Sequence, residues 1–226
     1  MGNLVTMDDL TNDDIVSVLD DAERLLPVAK GDIILPLLQG KVLANMFFEN
    51  STRTRMSFET AMKRLGGSVL NFSSIGTSVS KGETLYDTMQ MIDGYADIAA
   101  IRHPRQGAAQ YSADAVGIPI LNAGDGAGNH PTQTMLDLFT IRQAHGTLEG
   151  LNVVLVGDLR YGRTVHSLSH ALVRFGARLT LVSPSSLKMP VEIVSDLKSH
   201  GAQVTETESL DGQISSADVI YMTRIQ

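Results

Sequence analysis

The chain has 226 residues, with 18 Lys and Arg against 25 Asp and Glu, a formal net charge of -7, 43% hydrophobic residues and no cysteine. That length holds one large or two modest domains with real cores. The acidic balance argues against nucleic acid as a partner, and the lack of cysteine excludes disulfides, zinc–thiolate sites and a cysteine nucleophile. Any anionic ligand must therefore be small and held by a local basic pocket. No apolar run approaches the roughly 18–20 residues of a membrane span. The start, Met1–Thr6, lacks a basic region followed by an apolar stretch, so no membrane partner and a cytoplasmic location are expected.

In chain order, Thr11 opens a helix with Asp14 three residues on, a capping-box pattern, and Ile15, Val18, Leu19, Ala22, Leu25 and Leu26 make its apolar stripe. Val42–Phe48 reads as a buried strand, and Phe58–Leu65 as part of a helix with Phe58, Ala61, Met62 and Leu65 on one face. Ser68–Phe72 is a second strand, Leu85–Tyr95 a helix, Asp97–Ile101 a third strand, Ala108–Val116 a helix and Ile118–Leu121 a fourth strand. The helix Thr132–Ala144 follows Pro131, and Gly146 and Gly150 after it mark a domain boundary. The pattern then restarts: strand Val153–Val156, helix Thr164–Phe175, strand Leu179–Val182, helix Val191–Ser199, and strands near Gln203 and at Val219–Met222. Such alternation predicts an α/β protein of two domains, each a mainly parallel sheet flanked by helices, the second Rossmann-like and incomplete.

Ligands of parallel sheets gather beyond the carboxyl ends of the strands. The unusual polar clusters fall there: Glu49–Arg55, Thr77–Lys81, Arg102 with His103, Asp125–Gln133, Asp158–Arg163 and Arg224–Gln226. Ser51-Thr52-Arg53-Thr54-Arg55 sets hydroxyls and guanidinium groups at a strand-to-helix turn. Helix starts offer unpaired N–H groups and a positive dipole end, and arginine adds a fork matched to phosphate oxygens. The plainer reading is a helix cap with solvated arginines. Gly157 and Gly162 lack the Gly-x-Gly-x-x-Gly spacing of dinucleotide sites, and His166 with His170 lacks the glutamate of a zincin.

Phe47–Arg55 with Ser57-Phe58-Glu59 resembles the carbamoyl-phosphate signature of the aspartate and ornithine carbamoyltransferases, and the resemblance runs along the whole chain. It implies that Ser51, Thr52, Arg53 and Thr54 hold the phosphate. It also implies that Arg102, in Ile101-Arg102-His103-Pro104, reaches the phosphate and the carbonyl oxygen. Within Asn129-His130-Pro131-Thr132-Gln133 it puts His130 on the carbonyl oxygen and Gln133 on the carbamoyl amide. Ser78 and Lys81 match a mobile loop that family members insert into an adjacent subunit's site. Gly157–Leu168 and Tyr221–Gln226 resemble the aspartate branch, where Arg163 and Arg224 take the acceptor's two carboxylates with Gln226 nearby. Two arginines suit a dicarboxylate and would repel ornithine's extra cation. The Asn-rich turn and Ser-Met-Gly motif of the ornithine branch are absent.

The resemblance thus implies transfer of a carbamoyl group from carbamoyl phosphate to L-aspartate, a step of pyrimidine biosynthesis, with no cofactor and no metal. It assigns residues 1–145 to a carbamoyl-phosphate-binding domain and 146–226 to a partial aspartate-binding domain, since family chains run on past the position of Gln226. Direct attack by the aspartate amine would be served by Arg53, Arg102 and His130 at the developing oxyanion. A homotrimer with shared sites is the implied assembly, and a regulatory subunit is a candidate partner. The competing reading is a scaffold or fragment that binds carbamoyl phosphate without turnover.

Overall fold

The computed structural model describes residues 2–73, 77–126 and 128–223. It divides into two compact units, Met1–Thr132 and Gln133–Gln226.

In the first unit, β1 (Val42–Phe47), β2 (Ser68–Ser73), β3 (Ile98–His103) and β4 (Ile120–Asp125) form a parallel sheet of order β2-β1-β3-β4. The helices are α1 (Asn12–Arg24), α2 (Leu26–Lys30), α3 (Thr52–Arg64), α4 (Leu85–Asp93) and α5 (Ala108–Ala115). Strand alternation sorts the core into two faces. Ala44, Met46, Ala99 and Ile101 meet Met89 and Ile92 of α4 and Ala109 and Ala113 of α5. Leu43 and Ala100 turn the other way and pack with Phe58 and Met62 of α3. Each fully buried Leu, Ile or Met side chain among these contributes about 1.5–3 kcal/mol. Leu4 covers the β4 edge, donating its N–H to Ile120 O at 2.9 Å and accepting from Asn122 N at 2.9 Å.

The second unit repeats the plan. The helix α6 (Pro131–His145) begins at the division and leads into β5 (Asn152–Val156), α7 (Arg163–Val173), β6 (Arg178–Val182), α8 (Val191–Ser199), β7 (Val204–Thr207) and β8 (Val219–Met222). Its parallel sheet has the order β7-β6-β5-β8, with Val153, Leu155, Leu168, Leu172, Leu179 and Leu197 in its core. In each sheet the chain leaves the first strand to one side and later returns to its other side. The crevices therefore open between β1 and β3, and between β5 and β8.

The predicted strands all occur among the described residues, with one instructive shift. β4 runs to Asp125, four residues past the expected end at Leu121, because its polar stretch is buried and paired. Asn122 donates to Val5 O at 2.9 Å and accepts from Gly124 N at 2.8 Å, so a run that looks like a loop completes a strand. The short α2 was not foreseen; its last turn is held by Arg64, which donates to Val28 O at 2.9 Å.

Both sheets carry the same clasp at their amino ends. Asp97, just before β3, accepts from Val42 N at 2.8 Å and gives its own N–H to Val42 O at 2.9 Å. Asp218, just before β8, does the same with Asn152, at 2.7 and 2.9 Å. Lys41 and the Val42 N–H hold the Asp97 carboxyl below the usual aspartate value, and the Asn152 N–H does so for Asp218. A carboxyl whose folded value is depressed stabilises the fold above its unfolded value of about 3.9, and that contribution is lost as pH falls through the folded value. Asp97→Ala and Asp218→Ala are each expected to lower the thermal midpoint at neutral pH. The gap from the parent chain should narrow steadily below about pH 4 in circular-dichroism melts; an undiminished gap at low pH would remove the charge from this account.

Candidate functional site

The helix α3 starts at the carboxyl edge of β1, at the switch point of the first sheet. Ser51 occupies the N-cap position with extended backbone, φ -156° and ψ 111°, yet its side chain makes no capping bond. No acidic residue stands in the first turn. By contrast, Thr11 and Thr84 both cap their helices, with Asp14 and Asp87 in those first turns. The first turn of α3 thus presents backbone donors and an unscreened dipole end, together with the half-buried Ser51 and Thr54 and the exposed Thr52 and Arg53. The capping alternative for Ser51 does not hold in this geometry.

A polar brace fixes that helix start. Asn45, fully buried in β1, donates to the Arg55 carbonyl at 3.1 Å and to Asn71 Oδ1 of β2 at 3.2 Å. Asn71 in turn donates to Glu59 Oε2 at 3.0 Å. The first two turns of α3 are therefore tied to both strands beneath them.

Arg102, the last residue but one of β3, stands directly opposite Phe47 in the register. Its Nε lies 2.7 Å from Glu49 Oε1, and its Nη1 donates to Ala123 O at 3.2 Å. The ion pair holds the guanidinium at the switch point, two residues before Ser51. Phe48 lines the same edge, with its ring 5.0 Å from those of Phe72 and His103. Burial and the nearby Arg105 push His103 below its ordinary value, and its Nδ1 accepts from Arg105 N at 3.0 Å.

The loop after β4 is organised by Asp125, which is 3% exposed. Its Oδ1 accepts from Asn129 N at 2.7 Å and its Oδ2 from Gly107 N at 2.9 Å, while Gly128 N donates to its carbonyl at 2.9 Å. Gly126 sits at φ +57°, where a Cβ would lie 2.6 Å from Pro104 O, so the turn demands glycine. This scaffold delivers the buried His130, whose Nδ1 is 3.3 Å from Thr132 Oγ1. Ser78 and Lys81 lie elsewhere, exposed on the 3₁₀ turn Ser78–Lys81 that closes at Gly82, φ +98°.

In the second unit, Asp158 stands after β5 and accepts from Arg160 N at 3.1 Å and Tyr161 N at 3.0 Å. This turn leads to Arg163, the first residue of α7, again with no side-chain cap and no acidic residue in the first turn. Thr223 leaves β8 close against Gly157, φ +117°, where a Cβ would come within 2.5 Å of its Oγ1. His166 Nε2 donates to Leu159 O at 2.7 Å and burial lowers its basicity, while His170 Nδ1 lies 3.3 Å from Asp196 Oδ2. Gln133, in the first turn of α6, donates to Asp137 Oδ1 at 3.0 Å. Arg224 and Gln226 lie outside the described residues.

Sequence reading did not single out Asn45 or Asp137, and named Asp125 only as the start of the cluster Asp125–Gln133. A polar residue inside an apolar strand, as in Val42-Leu43-Ala44-Asn45-Met46-Phe47, was the available signal for the first. Asp125→Asn would turn an N–H donor toward one of the two amides the carboxylate now accepts from, at a cost of about 1–3 kcal/mol. Urea unfolding should register that loss, and the Gly107 and Asn129 amides should exchange hydrogen faster; unchanged exchange at both would show that the loop does not depend on the carboxylate.

Two family models match the chain: "Aspartate/ornithine carbamoyltransferase, carbamoyl-P binding domain" over residues 3–143, and "Aspartate/ornithine carbamoyltransferase, Asp/Orn binding domain" over residues 149–226. The aspartate carbamoyltransferase catalytic subunit of Methanothermobacter thermautotrophicus is 52% identical over 225 residues, covering 99% of this chain and 72% of the relative. That of Archaeoglobus fulgidus is 49% identical over 227 residues, covering 100% and 75%. Among solved structures, the catalytic subunit of M. jannaschii aspartate transcarbamoylase matches at TM-score 0.94 and 48% identity, covering 100% of this chain and 74% of that one. Aspartate transcarbamoylase from Trypanosoma cruzi, solved in complex with carbamoyl aspartate and phosphate, matches at TM-score 0.94 and 40% identity, covering 100% and 75%. This chain belongs to the aspartate/ornithine carbamoyltransferase family.

Proposed function

We propose that this chain transfers the carbamoyl group of carbamoyl phosphate to the amine of L-aspartate, giving N-carbamoyl-L-aspartate and phosphate. Its likeness to aspartate carbamoyltransferase catalytic subunits over 99% of its length supports the reaction. The observation that carries the site is the open, acid-free first turn of α3 at the switch point flanked by Arg102. A polyanion needs such a place in a molecule of net charge -7.

On this reading Ser51, Thr52, Arg53 and Thr54 hold the phosphate with the α3 backbone amides. Arg102 bridges the phosphate and the carbonyl oxygen, His130 donates to that oxygen, and Gln133 reads the carbamoyl amide. Arg163, Arg224 and Gln226 bind the acceptor's carboxylates. The amine attacks the carbamoyl carbon directly, charge develops on the carbonyl oxygen, and Arg53, Arg102 and His130 meet it. Holding two polyanions in attack geometry supplies much of the acceleration. The departing phosphate accepts the proton that the amine loses. Residues 1–145 serve the donor and 146–226 the acceptor. Ser78 and Lys81, on their exposed turn, complete the site of a neighbouring subunit in a cytoplasmic homotrimer, and a regulatory subunit is a further candidate partner.

Arg53→Ala and His130→Ala should each lower turnover by about 10²–10³-fold in a colorimetric assay for carbamoyl aspartate; near-normal turnover takes that residue out of its role. Binding of a bisubstrate analogue by the parent chain without product would favour a non-catalytic scaffold. Lys81→Ala and Arg53→Ala subunits, each inactive alone, should regain part of the activity when dissociated and reassembled together. Hybrids as inactive as their parents would dismiss the shared site.

A further inference from the structure

The second unit holds a polar network of which the reaction scheme uses only Gln133. Asp137 lies one helical turn after Gln133, so both side chains share a face of α6. Gln133 Nε2 donates to Asp137 Oδ1 at 3.0 Å. The other carboxylate oxygen, Oδ2, accepts from the Tyr221 hydroxyl of β8 at 3.1 Å. Gln133, Asp137 and Tyr221 are all half-buried, and Tyr221 reaches Asp137 from another element, so the network is more than a surface pair along a helix. Burial raises the Asp137 carboxyl above the usual aspartate value, and the donors from Gln133 and Tyr221 pull it back toward the anion.

A primary amide has two opposite ends: its nitrogen only donates and its oxygen only accepts. Which end faces a ligand is set by what holds the other. An ionised carboxylate can only accept, so Asp137 forces the nitrogen of Gln133 toward itself and leaves Oε1 as the end available to a ligand. Tyr221 occupies the second oxygen and so opposes rotation of the carboxylate.

We infer that Asp137 is a positioning residue that sets donor specificity: by holding Gln133 Nε2 it presents Oε1 as a fixed acceptor for the –NH2 group of the carbamoyl donor and discriminates against an acyl phosphate with a methyl group in that place. The inference rests on the reading of Gln133 as the carbamoyl contact. A methyl group gives Oε1 no hydrogen, and a site built around a hydrogen bond rejects an analogue that leaves its polar atom unpaired. Tyr221 ties the same carboxylate to the strand that leads toward Arg224.

The test compares dissociation constants of carbamoyl phosphate and acetyl phosphate, by titration calorimetry, for the whole chain and four variants. Acetyl phosphate keeps the phosphate and the carbonyl and lacks only the –NH2. Asp137→Asn retains shape but lets the Gln133 amide pair in either sense, so the preference for carbamoyl phosphate should fall about tenfold while acetyl phosphate binding stays within about twofold. Tyr221→Phe should reduce the preference by a smaller factor, and Asp137→Glu, which keeps an obligate acceptor, should restore part of it. A merely structural role would weaken both ligands together and leave the ratio alone, and that outcome overturns the proposal. Gln133→Ala separates the two readings. If it leaves the ratio unchanged, the role of Gln133 itself fails. If it abolishes the preference while Asp137→Asn does not, only the positioning role fails.

Discussion

Register is the constraint on which everything at the carboxyl edge depends. Side chains alternate along a strand, so a slip of one residue would turn Arg102 to the opposite face of the first sheet. Asp97 guards against that slip at the far end. Its carboxylate and its own N–H close a two-bond clasp on Val42, the first residue of β1. From there the pairs run Leu43↔Ile98 to Phe47↔Arg102 without interruption, and Arg102 emerges within 2.7 Å of Glu49. Asp218 closes the same clasp on Asn152, and the pairs run from Val153↔Val219 to Val156↔Met222. Each unit thus uses one exposed carboxylate at its amino edge to align groups at the edge where ligands belong.

Much of this was legible in the sequence because parallel strands buried on both faces read as short apolar runs. Val42–Phe47, Val219–Met222 and the helix Val191–Ser199 stand close to or at their expected bounds. The clusters Glu49–Arg55, Thr77–Lys81 and Asp158–Arg163 follow β1, β2 and β5, while Asp125–Gln133 begins on the last residue of β4 and Arg102 with His103 are the last two residues of β3. β4 runs on past Leu121, its expected end, through Asn122 and Asp125, which only their partners, Val5 O, Gly107 N and Asn129 N, make interior residues. Those partners are distant in sequence or bound through the main chain, so no local pattern announces them. Ser51 fails in the opposite direction. Its position invited a cap, and composition could not say whether its hydroxyl would turn inward to the helix or stay available.

Asp137 illustrates a middle case. Its spacing from Gln133 is visible in the sequence as a helical i, i+4 pair, which by itself is an ordinary stabilising contact. What changes its meaning is Tyr221, 84 positions away, on the second oxygen. A carboxylate with both oxygens committed is a fixed reference for the amide that leans on it.

The two switch points also answer the same electrostatic problem in the same way. An acidic chain that recognises anions must keep its own carboxylates away from the helix ends that receive them. α1 and α4 have acids in their first turns and threonine caps, and the N-cap amide of α5, Gly107, is taken by Asp125. α3 and α7 are built otherwise: each follows the first strand of its sheet, each lacks a side-chain cap, each has no acid in its first turn, and each carries an arginine there, Arg53 in one and Arg163 in the other. A dipole end alone favours an anion modestly and is weakened by a neighbouring acid, whereas a dipole end with an added guanidinium offers both directed N–H donors and a full charge. The proposed division of labour, phosphate at α3 and carboxylate at α7, therefore needs no second invention. On that proposal one strand–turn–helix device, repeated in two parallel sheets, would serve both substrates, with the identity of the anion left to the side chains around it.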